Sequence, residues 1–332
     1  MLNEIELMEY EAVRKGVGWF ELASETAFEM SGKDAASFLH GMVSNDVKSL
    51  REGEGCYTTC LTPTGKMIAD FRIFALSDRL LVLISKTKKK ETLAHLDKFI
   101  FLEEITFQDL EGKTSLFSLQ GPLSEKLMET LVGKSLPWAL YHHEPLEVQG
   151  IPLRVFASSH TGEKGYDLLL PFEAVSHSTQ LLEERGRPYG LRKVGPQTLE
   201  ILRVEAGIPY FGMDMDESTI PLEAGLETAV SFTKGCYTGQ EVIARIKHIG
   251  HVNRMLVGLK CEGVVSRGDP VIQGENEVGL VTSSSDSPAA RSHVALATVR
   301  REAATEGTSL IVRTPHGNVQ TVVAPLPFYV CP

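Results

Sequence analysis

Leu202-Arg203-Val204-Glu205-Ala206-Gly207-Ile208-Pro209, followed by Gly212 and Asp214 and then by Pro221-Leu222-Glu223-Ala224-Gly225-Leu226, is the stretch of this chain from which its fold is read. Leu199 to Glu205 has the spacing of a helix, and Gly207 and Pro209 stop it, since proline cannot continue a helical hydrogen-bond ladder.

On the C-terminal side stands Lys234-Gly235-Cys236-Tyr237-Thr238-Gly239-Gln240-Glu241. Thr238 and Glu241 have capping-box spacing, with Tyr237 and Val242 placed for a hydrophobic staple, so a helix is expected from Gly239 to about Lys247. Cys236 then precedes a helix N-terminus and lies two residues from Lys234, two features that favour thiolate. A structural cysteine in a tight glycine loop is the plain alternative. After Asn253 the texture becomes β throughout. Met255 to Lys260, Pro270 to Ile272, Val278 to Thr282, His293 to Val299, Ser309 to Arg313 and Asn318 to Ala324 are separated by turn residues such as Arg267-Gly268-Asp269. Short strands at this spacing predict a small, closed or nearly closed barrel. A domain boundary is placed near residue 250, giving 1–249 as a core and 250–332 as the barrel.

On the N-terminal side, Ser31 to Met42 reads as a helix, with Ser31 and Asp34 resembling a capping box. Cys56 to Leu61, Lys66 to Leu76 and Leu80 to Ser85 read as an antiparallel meander, because short turns join them. Asp70 lies inside the second run. Alternation puts it on the face of Ile68 and Arg72, with Ala69, Phe71 and Ile73 opposite. Lys88 to Ile100 reads as a helix. The Lys86-Thr87-Lys88-Lys89-Lys90 cluster ahead of it opposes the macrodipole and invites an anion, or is a solvated turn. A further helix follows Gly121-Pro122. Ile151 to Ala157 and Tyr166 to Leu170 form two strands joined across Thr161-Gly162-Glu163-Lys164-Gly165. That hairpin carries Glu163 and Asp167. A carboxylate there either is solvated or pairs bidentately with an N–H and an adjacent amine, the edge a pterin offers.

Composition bounds the function. The 332 residues exceed one typical domain. A formal net charge of −10 argues against whole-surface nucleic-acid binding, which is driven by phosphate neutralisation. The five cysteines are scattered and odd in number, so no disulfide framework is expected. Cys56 and Cys60 share a strand face, as small buried residues or a metal pair. The longest aliphatic run, Leu80 to Ile84, is far shorter than a membrane span, and Glu4, Glu6 and Glu9 interrupt any signal sequence. Cytoplasm is the expected location.

The 202–226 blocks resemble the central region of the glycine-cleavage T-protein (aminomethyltransferase) superfamily. Thr161 to Asp167 is similar to its TGExGYE hairpin, with Asp167 in place of Glu. Leu119-Gln120-Gly121-Pro122, Asn45-Asp46-Val47, Gly279-Leu280-Val281-Thr282-Ser283 and Leu326-Pro327-Phe328 match as well. The octet around Cys236 resembles the YgfZ branch, since T-proteins lack that cysteine. The resemblance implies an α+β fold with antiparallel sheets, in which two interwoven α/β subdomains form a folate-binding core beside a small C-terminal β-barrel. It implies tetrahydrofolate or a derivative as ligand, with Tyr57, Asp70, Asp167 and Arg203 in the pocket, Glu163 beside them and Cys236 as the functional thiol. Asp70 and Cys236 would be the catalytic pair and no metal is expected. Gly65 to Asp70 reads G-K-M-I-A-D where T-proteins have a GGxxDD-like strand, so one acid of two is kept. YgfZ-type proteins imply support of iron–sulfur cluster assembly or repair, and through it of tRNA-modifying enzymes, with iron–sulfur proteins or assembly factors as partners and neither membrane nor nucleic-acid contact. Two alternatives are a folate-dependent one-carbon transferase (aminomethyltransferase or demethylase) and a non-catalytic interaction module.

Overall fold

The structure is a computed structural model that describes residues 2–248 and 250–331. Its core is built from two antiparallel-rich sheets through which the chain passes alternately. The five-stranded sheet runs in the order Gly55–Leu61, Met67–Ala75, Arg79–Ser85, Glu25–Ser31, Thr106–Asp109. The six-stranded sheet runs Arg192–Lys193, Gly18–Glu21, Thr114–Gln120, Gly165–Pro171, Ile151–Ser158, His143–Val148. Gly18–Glu21 belongs to one sheet and Glu25–Ser31 to the other, as do Thr114–Gln120 and Thr106–Asp109, so the two subdomains are interwoven as expected.

Each strand's period-2 alternation explains the layering. Ala69, Phe71 and Ile73 point outward and pack with Leu39 of the helix Ala35–Met42 and Leu96 of the helix Lys86–Asp97. Leu119, Tyr166 and Leu168 do the same under Leu127 and Met128 of Ser124–Val132 and Leu182 of Val175–Gly186. The inner faces meet at Phe74, Leu81, Leu83, Leu116 and Phe156. Phe74 and Phe156 pack in a tilted arrangement with ring centroids 4.4 Å apart. The core is therefore helix, sheet, sheet, helix.

Six strands close into the C-terminal barrel, in the order Arg254–Cys261, Ser292–Arg300, Asn276–Ser287, Pro270–Gln273, Ser309–Thr314, Gly317–Ala324. Their inward residues, Leu259, Val271, Ala295, Ala297 and Val312 among them, are fully buried. The helix Pro196–Glu205 joins barrel to core. Val204 packs on Val294 and Leu296 of the barrel, with Leu326 and Phe328 of the tail alongside.

Two helix boundaries differ from the expectation. Ser31 ends a strand and the helix begins at Ala35, because the Asp34 carboxylate accepts the Glu104 amide at 2.9 Å instead of capping. The lysine-led helix starts at Lys86, directly on the strand before it, and ends at Asp97.

Candidate functional site

The inner face of Met67–Ala75 carries Phe74, Arg72 and Asp70 in line. Phe74 is sealed between the sheets, while Arg72 and Asp70 retain solvent access. An apolar contact thus gives way to an ionisable cleft along one strand. Tyr57, on the neighbouring strand, donates its hydroxyl to Asp70 Oδ2 at 2.7 Å. Removal from water raises the Asp70 carboxyl above its ordinary value, and the Tyr57 bond only partly offsets this. Burial first, and the Asp70 charge second, push the Tyr57 phenol well up.

Arg72 spans the two sheets. Its Nη1 donates to Asp167 Oδ2 at 2.7 Å and its Nη2 pairs with Glu25. Asp167 is fully buried and has further partners, with His160 Nε2 3.0 Å from both oxygens and Ser158 Oγ donating at 2.7 Å. Burial would raise the Asp167 carboxyl, but His160 and Arg72 outweigh it and hold it well below the usual range. Its acceptor sites are thus occupied by the protein itself.

The other expected site residues lie elsewhere. Glu163 faces Arg14 at 3.0 Å, and Arg14 also pairs with Glu205 at 2.7 Å. Glu205 accepts from Tyr10 at 2.8 Å and from Ser287 at 2.5 Å, and the Arg14 guanidinium stacks 3.6 Å over the Tyr329 ring. This knot links the N-terminal helix, the 161–165 hairpin, the helix Pro196–Glu205, the barrel and the tail. Arg203 is used up as well. It donates to Asp214 at 2.7 Å, to the Ile208 carbonyl at 2.7 Å, to Ser283 at 2.7 Å and to Glu200. Structurally, Glu163 and Arg203 are ties between segments.

Cys236 is exposed, on a loop whose next residue, Tyr237, shares an apolar cluster with Tyr57. Lys234 does not turn to the thiol. Its Nζ donates to the carbonyls of His40, Val43 and Asn45, the last two at 2.7 and 2.9 Å, and burial lowers it to about 8. The helix begins at Gln240, one residue later than expected. Gln240 Oε1 accepts the Tyr237 amide at 3.2 Å, and the Thr238 amide goes to Gly41. Two members of the lysine cluster are tied up by the protein itself: Lys88 pairs with Glu91 and Glu217, and Lys89 with Asp109 and Glu111. Among the described residues no cluster of metal-ligating side chains occurs, and no helix is long and apolar enough to cross a membrane.

Sequence reasoning placed Arg72 beside Asp70 but gave it no role, and it passed over Glu25 and His160. The alternation that set Asp70 and Arg72 on one face was the signal available for Arg72.

The fold is thus an α+β core tied to a closed barrel, with ionisable groups gathered where two sheets meet, the kind of junction at which small-molecule sites form. Residues 2–234 match the GCVT N-terminal domain and residues 254–329 the glycine cleavage T-protein C-terminal barrel domain, so the chain belongs to the glycine cleavage T-protein family. It is 32% identical to an aminomethyltransferase of Rippkaea orientalis, over 98% of this chain and 89% of that protein. It is 28% identical to an aminomethyltransferase of Halalkalibacterium halodurans, over 97% and 89%. The crystal structure of glycine cleavage system aminomethyltransferase T from Bartonella henselae shares the fold, with a TM-score of 0.88 at 24% identity over 98% of this chain and 90% of that one. These relatives overturn the expectation of a role in iron–sulfur protein support and tRNA modification. Proteins similar along nearly the whole chain are named for aminomethyl transfer, which favours the one-carbon alternative.

Proposed function

We propose that this protein is a tetrahydrofolate-dependent one-carbon transferase of the aminomethyl type, with Asp70 as its acid–base group. The observation that carries this reading is the Tyr57–Asp70 pair, a carboxyl held 2.7 Å from a phenol in the inter-sheet cleft and raised above its ordinary value by burial. A carboxyl poised in that way exchanges a proton more readily near neutrality than a solvated one. The residues present fit a reduced folate in part. Bound there, tetrahydrofolate would supply the nitrogen that accepts the one-carbon unit. Asp70 would move a proton at its carboxyl, and Tyr57 would fix the carboxyl's orientation.

Asp167 does not fit as a free anchor for a pterin edge, because Arg72, His160 and Ser158 already take its oxygens. It positions Arg72 instead. Arg203 and Glu163 hold the barrel, the tail and the hairpin around the cleft. The octet at Lys234 to Glu241 supports a place in the YgfZ branch of the family, with Cys236 as an accessible thiol of that branch. Five free cysteines are in keeping with a cytoplasmic setting.

Calorimetry with tetrahydrofolate, followed by turnover of an aminomethyl donor, tests the proposal. Wild-type protein should bind and turn over. Asp70→Asn should bind but lose about 10²–10⁴ of the rate, the usual share of a general acid–base group. Absence of tetrahydrofolate binding, or full turnover by the Asn variant, would overturn it.

A further inference from the structure

Tyr141 has a backbone conformation that its side chain disfavours. Its φ is +68°, and the other two non-glycine residues with positive φ among the described residues, Gln149 and Arg291, both lie in hairpin connections. Gln149, beside Gly150, joins His143–Val148 to Ile151–Ser158, where two-residue turns call for positive φ. Tyr141 instead lies in a turn closed by the His142 amide on the Ala139 carbonyl at 3.0 Å. It takes the third place of that turn, where positive φ favours glycine or asparagine. A bulky aromatic there is strained, and such strain gathers at ligand-handling sites.

The surroundings say what the strained residue serves. The Tyr141 amide donates to the Ala157 carbonyl at 2.9 Å, which fixes its backbone on the strand that carries Phe156 and Ser158. Its ring packs partly against the inter-sheet cluster of Phe74 and Phe156. The charged groups that bear on its phenol are those of the cleft, Arg72 and Asp167, together with the Cys56 thiol, and it bears in turn on Tyr57. Among the described residues its hydroxyl takes no protein hydrogen-bond partner, and it is not among the fully buried unpaired groups, so it keeps some solvent access. Tyr57 spends its hydroxyl on Asp70; Tyr141 has a hydroxyl to spare.

We infer that Tyr141 is a ligand-contacting residue of the Asp70 cleft, whose hydroxyl hydrogen-bonds the bound molecule and whose ring walls a flat heterocycle. The inference rests on the proposed tetrahydrofolate reading and adds a recognition residue to it.

The test titrates tetrahydrofolate into the full chain by calorimetry, with wild type, Tyr141→Phe and Tyr141→Asn side by side. Phe keeps the ring and the backbone and removes only the hydroxyl, so affinity should fall about 3- to 10-fold, the range of one net hydrogen bond, with no change in the unfolding midpoint. Asn tolerates the left-handed conformation but offers no ring, so it should remain folded and lose more affinity than Phe. Wild-type binding with an equally tight Phe variant would overturn this inference and leave the proposed function standing. Failure of the wild type to bind tetrahydrofolate would overturn both. An Asn variant that binds as tightly as wild type would likewise remove Tyr141 from the site.

Discussion

Arg72 on the five-stranded sheet and Asp167 on the six-stranded sheet form an ion pair across the inter-sheet junction, Nη1 to Oδ2 at 2.7 Å, with Asp167 wholly removed from solvent. The two sheets are thereby held to one another beside Asp70. The side chain expected to greet a ligand is instead part of the wall.

Asp167→Ala should therefore act first on stability. Among the described residues it leaves Arg72 with Glu25 as its one carboxylate partner and takes from His160 the carboxylate it faces, and breaking a buried pair costs about 3–5 kcal/mol. Urea unfolding measures it. The Asp167 carboxyl is held below its ordinary value, so the unfolded chain binds its proton more readily. Its contribution is then present above the unfolded value of about 3.9 and lost as pH falls from there towards the folded value. The gap between wild type and variant should narrow in acid. A gap that is constant with pH would contradict the ionic origin.

Asp70 has the opposite sign. Its carboxyl is raised in the folded state, chiefly by burial, so the native protein binds the proton more readily than the unfolded chain. The stability contributed by this group falls as pH rises from the ordinary aspartate value through the folded one. Asp70→Asn removes that loss. Its melting temperature should exceed that of wild type at neutral pH and converge with it below about pH 3.9. Thermal unfolding across that range decides, and a variant less stable at neutral pH would contradict it.

Arg14 is the cation between two buried acids, its side chain 6% exposed against 1% for Glu163 and 0% for Glu205. Arg14→Met should cost about 3–5 kcal/mol, because Glu163 and Glu205 lose their shared partner. Adding Glu205→Gln should recover part of the loss, so the double variant falls short of the sum of the singles. Strict additivity in chemical denaturation would show that the two do not act together.

The thiols separate by exposure. Cys236 is exposed, while Cys56, Cys60 and Cys261 are buried and pushed up to about 12 by desolvation. Limited alkylation of the native protein at neutral pH should mark Cys236 long before those three. Peptide mass spectrometry reads the order, and equal labelling of Cys56 would mean that the strand Gly55–Leu61 opens freely.

Local order was largely legible in the sequence. The barrel strands were bracketed by their turn residues, and period-2 alternation correctly parted Asp70 and Arg72 from Ala69, Phe71 and Ile73. What escaped were pairings between distant segments. Nothing near Lys88 or Lys89 announces Glu217 or Asp109 as partners, so two neutralised lysines looked available to an anion. Likewise, Arg14 and Glu163 are 149 residues apart, and Arg203 meets Ser283 across 80. Family blocks identified these side chains as important but could not say whether they face a ligand or one another. At Lys234, nearness in sequence to Cys236 suggested a charge beside the thiol, whereas the side chain caps the helix Ala35–Met42 through backbone carbonyls.

The knot around Glu205 also bears on the order of assembly during synthesis. The Glu205 carbonyl accepts the amides of Phe328 and Tyr329 at 2.8 and 3.1 Å, and Tyr329 covers Arg14. The helix that carries Arg14 thus waits for a segment made some three hundred residues after it. Until that segment leaves the exit tunnel, Glu205 has only part of its native set of contacts, and the N-terminal helix lacks its aromatic cover. The nascent core stays incomplete until that segment has emerged, so its final locking comes late in the order of synthesis.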